Sequence, residues 1–164
     1  MIIGSGDIAG AVKEIDRPDR LFFCSGVSNS LETRESEYQR EKDLLAEQRR
    51  DLQLVYFSSL CVFYLETRYS QHKLEMESLV KEFPSYAIVR LGLITWGNNP
   101  STLINHLRGE LKAGRPLEIQ DTTRYIVDKP EFLHWMSKIP PRNVEMCVTG
   151  QPMTVKEVVK KYVL

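Results

Sequence analysis

Short apolar runs alternate along this chain with polar stretches of helical period, and that alternation limits the possible folds more than any other feature. Met1-Ile2-Ile3, Leu21–Cys24, Leu52–Phe57 and Tyr86–Leu91 read as strands. Between them lie a short helix over Ile8–Ile15, a highly charged helix over Arg34–Arg50 with Tyr38, Leu44 and Leu45 as its apolar contacts, and a helix between Glu66 and Phe83 that Pro84 ends. Strands that alternate with helices predict an α/β fold around a mainly parallel sheet. The second half continues the pattern. Trp96–Pro100 is a loop with Pro100 placed to start a helix, whose apolar face is Leu103, Ile104, Leu107 and Leu111 and whose stop is Gly114. Leu117–Ile119 and Arg124–Val127 are strand candidates, Glu131–Ile139 a helix and Val144–Val148 a strand. Thr154 and Glu157 have the spacing of a capping box, and Val155, Val158, Val159, Tyr162 and Val163 line one face of the last helix.

At 164 residues the chain can bury the core of one domain. Its 22 basic and 22 acidic residues balance, which argues against a nucleic-acid-binding surface. No apolar stretch is long enough for a membrane span, and the first residues lack the pattern of a signal peptide. Cys24, Cys61 and Cys147 each sit in an apolar run, the pattern of buried free thiols in a cytoplasmic protein. No Cys/His spacing suggests a metal site.

Three local patterns carry chemistry. Gly4-x-Gly6-x-x-Ala9, between the first strand and first helix, lets a backbone approach phosphate closely while helix N–H groups meet the negative charge. Gly4, Ser5, Gly6, Asp7 and Ile8 are therefore candidate cofactor contacts; an ordinary strand-to-helix turn has the same outline. The third strand runs into Ser58-Ser59. Tyr and Lys four residues apart share a helix face, where an ammonium favours the phenolate and makes Tyr a usable acid or base. The spacing occurs three times, at Tyr38/Lys42, Tyr69/Lys73 and Tyr125/Lys129, so spacing alone does not choose. Position favours Tyr69/Lys73, which follows the strand ending at Ser58-Ser59, because ligands in open α/β sheets sit at the C-terminal strand edge. Tyr38/Lys42 follows Ser25 in a similar way and stays open as an alternative.

Taken in order, these segments resemble the extended short-chain dehydrogenase/reductase family of NAD-dependent epimerases, dehydratases and reductases. Leu21-Phe-Phe-Cys-Ser25-Gly26 is similar to the family's strand that runs over the cofactor. Val55-Tyr-Phe-Ser58-Ser59 is similar to the strand ending in its Ser/Thr turn, and Tyr69 and Lys73 match its Tyr-x-x-x-Lys. The resemblance implies a Rossmann-like parallel sheet with helices on both faces and a small C-terminal substrate-side extension. It divides the chain into a reduced dinucleotide-binding core over 1–95 and a substrate-side segment over 96–164 packed on the same domain. It implies NAD or NADP as cofactor, held by Gly4 to Ile8, Ser25, Gly26, Ser58, Tyr69 and Lys73. Ser59, Tyr69 and Lys73 would be catalytic, with Lys73 lowering the Tyr69 pKa. Arg90, Trp96, Asn98 and Arg124 would meet a small-molecule substrate such as a nucleotide sugar.

The chain departs from the family pattern between the first helix and Leu21. Only Asp16–Arg20 stands where the family has two further strands and a helix, so the acidic residue that holds the adenosine ribose is absent. The first strand is then expected at a sheet edge, covered by a second subunit. The charged helix lacks the Asn often found there, and Leu91 stands where many relatives have Pro. An alternative follows: a non-catalytic Rossmann-like scaffold with weak or no cofactor binding. Other residues read as structural. His72 is expected to be solvated on its helix, the Glu32–Asp51 run to be solvated or dimer-facing, and Phe132 and Trp135 to be core; His106 and His134 have no partner at a ligand spacing.

Overall fold

A computed structural model describes all 164 residues. Its main sheet has five parallel strands in the order β1 (Ile2–Ile3), β2 (Arg20–Phe23), β3 (Gln53–Ser59), β4 (Tyr86–Leu91) and β7 (Val144–Val148). Helix α1 (Asp7–Val12, extended by a 3-10 turn at Lys13–Ile15) links β1 to β2, and α2 (Glu35–Ala46) links β2 to β3. Helix α3 (Arg68–Val80) links β3 to β4, with a 3-10 turn at Leu60–Phe63 before it. As the shortened connection implies, β1 lies at the sheet edge and pairs only with β2.

Strand alternation divides the core into two layers. Phe22, Val55, Ala87 and Val89 face α1 and α5 (Lys129–Ser137), meeting Ala11, Val12, Phe132 and Met136. Leu21, Phe23, Leu54, Tyr56 and Ile88 face α2 and α3, meeting Leu45, Met76 and Val80. Helices therefore cover both faces of a parallel sheet, the Rossmann-like α/β architecture. The strands are apolar on both faces because both faces are buried.

A second, three-stranded sheet runs β5 (Leu93–Ile94), β6 (Thr123–Val127) and β8 (Gln151–Thr154), the first pair parallel and the second antiparallel. It packs with α4 (Leu103–Lys112) and α6 (Val155–Val158, continued by a π-helical turn at Val159–Val163) around Ile104, Ile126 and Val158. The capping box at Thr154 and Glu157 forms as the spacing predicts.

Four expectations change. Leu117–Ile119 forms no strand and has no pairing partner. Helix α4 starts at Leu103, three residues after Pro100, because Thr102 accepts the N–H of Asn105 and caps it. Arg20 is the buried first residue of β2, not part of the linker, and its guanidinium donates to Met136 O (3.2 Å) and Ile139 O (2.5 Å) at the C-terminal end of α5. The charged helix α2 is not wholly solvated or dimer-facing: Tyr38, Glu41 and Leu45 are buried on its inner face. No helix is long and apolar enough to cross a membrane.

Candidate functional site

The C-terminal ends of β1, β2 and β3 bring the candidate residues into one line. Gly4 has φ +113°, and a side chain there would meet Cys24 O at 2.7 Å and Ser25 N at 3.0 Å. Only glycine lets the turn lie this close to the end of β2. Gly6 faces open space. Gly6 caps α1 without a side-chain hydrogen bond, so the first-turn N–H groups have no side-chain acceptor. Ser5 is exposed and Ile8 half-buried against the α1–α5 core.

The next contact is at Gly26. A methyl group there would sit 2.8 Å from Glu41 Oε1 and 3.0 Å from Lys73 Nζ, so the missing side chain lets the backbone close over these two charges. Lys73 is buried, and its ammonium donates to Tyr56 Oη (3.1 Å) and Glu41 Oε1 (3.3 Å). It lies 5.6 Å from the centroid of the Tyr69 ring. Tyr69 is half-buried in the first turn of α3, near Ser59 at the end of β3. Ser59 Oγ also accepts the N–H of Cys61, which fixes it at the start of the 3-10 turn. Ser58 is buried, and its hydroxyl has no hydrogen-bond partner. The glycine turn, Ser25-Gly26, Lys73, Tyr69 and Ser59 thus lie side by side along the strand ends.

Glu41 is the residue that sequence reasoning missed. It is fully buried and uses both carboxylate oxygens. Oε1 accepts from Tyr56 Oη (2.8 Å) and Lys73; Oε2 accepts from the Val27 N–H (2.7 Å) and pairs with His72 Nε2 (2.8 Å). Burial alone would raise its pKa, but Lys73, His72 and the Val27 N–H outweigh burial and hold it at about 2. His72 is fully buried, not solvated, because α3 turns that face onto α2, where its ring stacks on Tyr38 at 4.6 Å. The sequence did carry a signal: Tyr38, Glu41 and Leu45 are spaced three and four apart, so Glu41 shares the apolar face.

The Glu41 pair changes the electrostatics expected of Tyr69. Burial, then Cys61, Glu41 and Tyr38, push the Tyr69 phenol above its ordinary range; the nearby Ser59 hydroxyl opposes them. The expected lowering by Lys73 does not prevail: burial is the largest cause of the rise, and the Lys73 ammonium is itself paired with Glu41. Tyr56 is also pushed well up, first by burial and then by Glu41, which keeps it a neutral donor to Glu41 and acceptor from Lys73.

The remaining candidates divide. Tyr38 donates to Glu32 O (2.7 Å) and Lys42 pairs with Glu75 (2.5 Å), so this Tyr/Lys pair is not assembled as a unit. Lys129 pairs with Glu14 while Tyr125 is exposed on β6. Arg90 is held by Glu77 (2.9 and 2.5 Å) and Glu145 (2.7 Å), which gives it a structural role in place of a free substrate contact. Arg124 donates to Thr123 O and Gln120 Oε1. Trp96 and Asn98 reach the glycine turn itself. Trp96 Nε1 donates to Asp7 O (3.3 Å), and the N–H groups of Asn98 and Asn99 each donate to the Asp7 carboxylate at 3.0 Å. Gly97, at φ +90°, makes this possible: a side chain there would overlap the Asp7 carboxyl, 2.0 Å from its carbon.

No family model matches the chain, and no curated protein matches it in sequence. Its fold does match solved structures. The Bordetella bronchiseptica enzyme WbmG in complex with NAD superimposes with TM-score 0.70 at 17% identity, over 94% of this chain and 58% of that one. The dTDP-glucose 4,6-dehydratase of Bacillus anthracis in complex with NAD gives 0.65 at 16% identity, over 95% and 59%. The UDP-glucose 4-epimerase of Thermus thermophilus in complex with NAD gives 0.65 at 16% identity, over 92% and 62%. The chain thus has the fold of these proteins and spans about three-fifths of their length.

Proposed function

We propose that the chain acts as a reduced NAD(P)-dependent oxidoreductase or epimerase-type protein on a nucleotide-linked sugar or similarly polar carbonyl compound. The observation that carries this reading is the alignment of the glycine turn, Gly26, Lys73, Tyr69 and Ser59 along the C-terminal strand ends, on a fold shared with NAD-bound sugar-nucleotide enzymes. The residues present suit the phosphate and nicotinamide portions of the cofactor. The turn is open in front of Gly6, and the first turn of α1 has no side-chain cap. They do not provide an adenosine site, because α1 runs through its 3-10 turn and Asp16–Asp19 directly into β2.

When bound, the nicotinamide would supply or accept hydride. The protein's own groups would manage the proton. Ser59 would hydrogen-bond the substrate oxygen, and Tyr69 Oη would give a proton to it or take one from it. Lys73 would stabilise the phenolate and hold cofactor hydroxyls, and Trp96, Asn98 and Arg124 would face substrate on the other side.

Titration of the protein with NADH and NADPH by fluorescence tests the binding half. Saturable binding of either is expected, and no binding of both removes the reading. Tyr69→Phe tests the chemistry: cofactor binding should persist while turnover is lost, and full turnover would overturn the assignment. A second reading, a non-catalytic scaffold, is favoured by one specific observation. Lys73 is paired with Glu41, which leaves Tyr69 unactivated in this arrangement.

A further inference from the structure

Glu41 lies outside the set of residues that would touch cofactor or substrate, yet it ties together three segments around the candidate site. Through its four partners it joins the β2–α2 connection (Val27), β3 (Tyr56) and α3 (His72 and Lys73). A buried carboxylate with four donors is costly to move, since each oxygen would lose charge-assisted hydrogen bonds. Lys73 has three donors. Two go to Glu41 and Tyr56, and its ammonium lies 5.2 Å from the Tyr56 ring centroid, against 5.6 Å for Tyr69. Gly26 closes over the pair, and its missing side chain is the space the two charges require.

We propose that Glu41 is a positioning residue that sets the acidity of Tyr69: it draws the Lys73 ammonium into a buried ion pair beneath Gly26, so that the ammonium's charge serves the carboxylate rather than the phenol. The proposal rests on the reading of Ser59, Tyr69 and Lys73 as the proton-transfer group, but it concerns the unliganded protein. The groups that face Tyr69 are Lys73 on its own helix, Glu41 and Tyr38 on α2, Ser59 at the end of β3 and Cys61 in the 3-10 turn, with His72 behind Glu41. Of these, Glu41 acts twice. Its own charge opposes phenolate formation, and its pairing with Lys73 cancels the nearest charge that would favour it. A ligand that bound Lys73 in place of Glu41 would leave the phenol more acidic, so activation would depend on occupancy.

The test needs no cofactor. Tyrosinate absorbance is titrated in wild type and in Glu41→Gln, and the Tyr69 signal is isolated by subtracting the same titration of each protein carrying Tyr69→Phe. Wild type should show no Tyr69 contribution below its alkaline unfolding. Glu41→Gln, which keeps the shape and loses the charge, should show at least a tenfold larger phenolate fraction at pH 9, while Glu41→Asp should resemble wild type. An unchanged Tyr69 signal in folded Glu41→Gln overturns the proposal. Should Glu41→Gln fail to fold, wild type decides by nitrogen-15 spectroscopy of the lysine ammonium groups. Lys73, assigned by its loss in Lys73→Arg, should give a slowly exchanging resonance with proton contacts to Gly26, and a rapidly exchanging Lys73 without that contact overturns the proposal. Because NADH titration is a separate measurement, failure of cofactor binding and failure of this proposal are distinguishable.

Discussion

Arg90→Met separates a structural arginine from a substrate-binding one, and its cost follows from the contacts. The Arg90 side chain is 14% exposed and Glu77 4%, so their paired hydrogen bonds are largely shielded from water. Glu145, 35% exposed, makes the third contact and keeps Lys81 at 2.7 Å when Arg90 is lost. Glu77 has no second cation. Methionine keeps the aliphatic stem but loses the guanidinium that lies over the exposed Phe63 ring, 5.1 Å from its centroid, a cation–π contact worth about 0.5–1 kcal/mol at such a site. Breaking a buried pair from one side costs about 3–5 kcal/mol, and the partial exposure of Arg90 places this one near the low end, about 3 kcal/mol. In a chain of this size that corresponds to a fall in Tm of roughly 6–12 °C. The double variant Arg90→Met/Glu77→Leu removes the stranded charge and should recover most of the loss. Thermal and urea unfolding, followed by circular dichroism without ligand, measure both. A fall of less than about 2 °C, or a double variant no more stable than the single one, would refute the structural role assigned to Arg90.

The Glu41 carboxyl is depressed from an ordinary value of 4.5 to about 2, so its stabilisation is fully present above pH 4.5 and is lost as pH falls towards 2. Urea midpoints of wild type should fall across that window more steeply than those of Glu41→Gln; parallel curves would show that the pair is not the source. Gly97→Ala forces a side chain into a left-handed backbone, at a cost of about 1–2 kcal/mol, and into the Asp7 carboxyl. Trp96 fluorescence should shift in that variant, and adding Asp7→Ala should restore part of the stability but not the strain. With an aromatic disulfide reagent, Cys147 should react first because it is exposed. Burial pushes the Cys24 thiol up to about 12 and also raises Cys61, so those two should react only on unfolding.

The main sheet was legible because its strands carry their own pattern. Leu54, Val55, Tyr56 and Ala87 to Val89 are apolar on both faces, as buried parallel strands must be, and the intervening helices are long enough to show a period. The small sheet was less legible. β5 is two residues long, and β8 contains a proline, so neither displays an alternation; Leu117–Ile119 has the right composition but no partner strand to pair with. The misreading of His72 has a related cause. The facing helix α2 is rich in charged residues and looks solvated, and only tertiary packing of α3 on α2 reveals that His72 meets Glu41. The contact of Asp7 with Asn98 and Asn99 joins residues about ninety positions apart, which no local spacing can announce.

These long-range contacts share one consequence for function. Asp7 is taken by two backbone N–H groups, Lys73 by Glu41, and Arg90 by Glu77 and Glu145. The free protein has thus satisfied most of the charged groups that the fold aligns along its C-terminal strand edge. A ligand entering there must exchange partners rather than fill vacant ones, and a hydrogen bond to a charged group is worth about 1.5–3 kcal/mol. Each 1.4 kcal/mol forfeited without replacement weakens binding about tenfold. A dinucleotide phosphate gains nothing by displacing the Asp7 carboxylate, since it would bring one negative charge beside another. Lys73 differs: a neutral hydroxyl can take its third hydrogen while Glu41 keeps the first. On the proposed reading, a nicotinamide end would bind without breaking the buried pair, whereas acid–base use of Tyr69 would require that pair to yield. Binding and activation are in this way separate demands on one side chain, and a chain that met only the first would hold cofactor without turning it over.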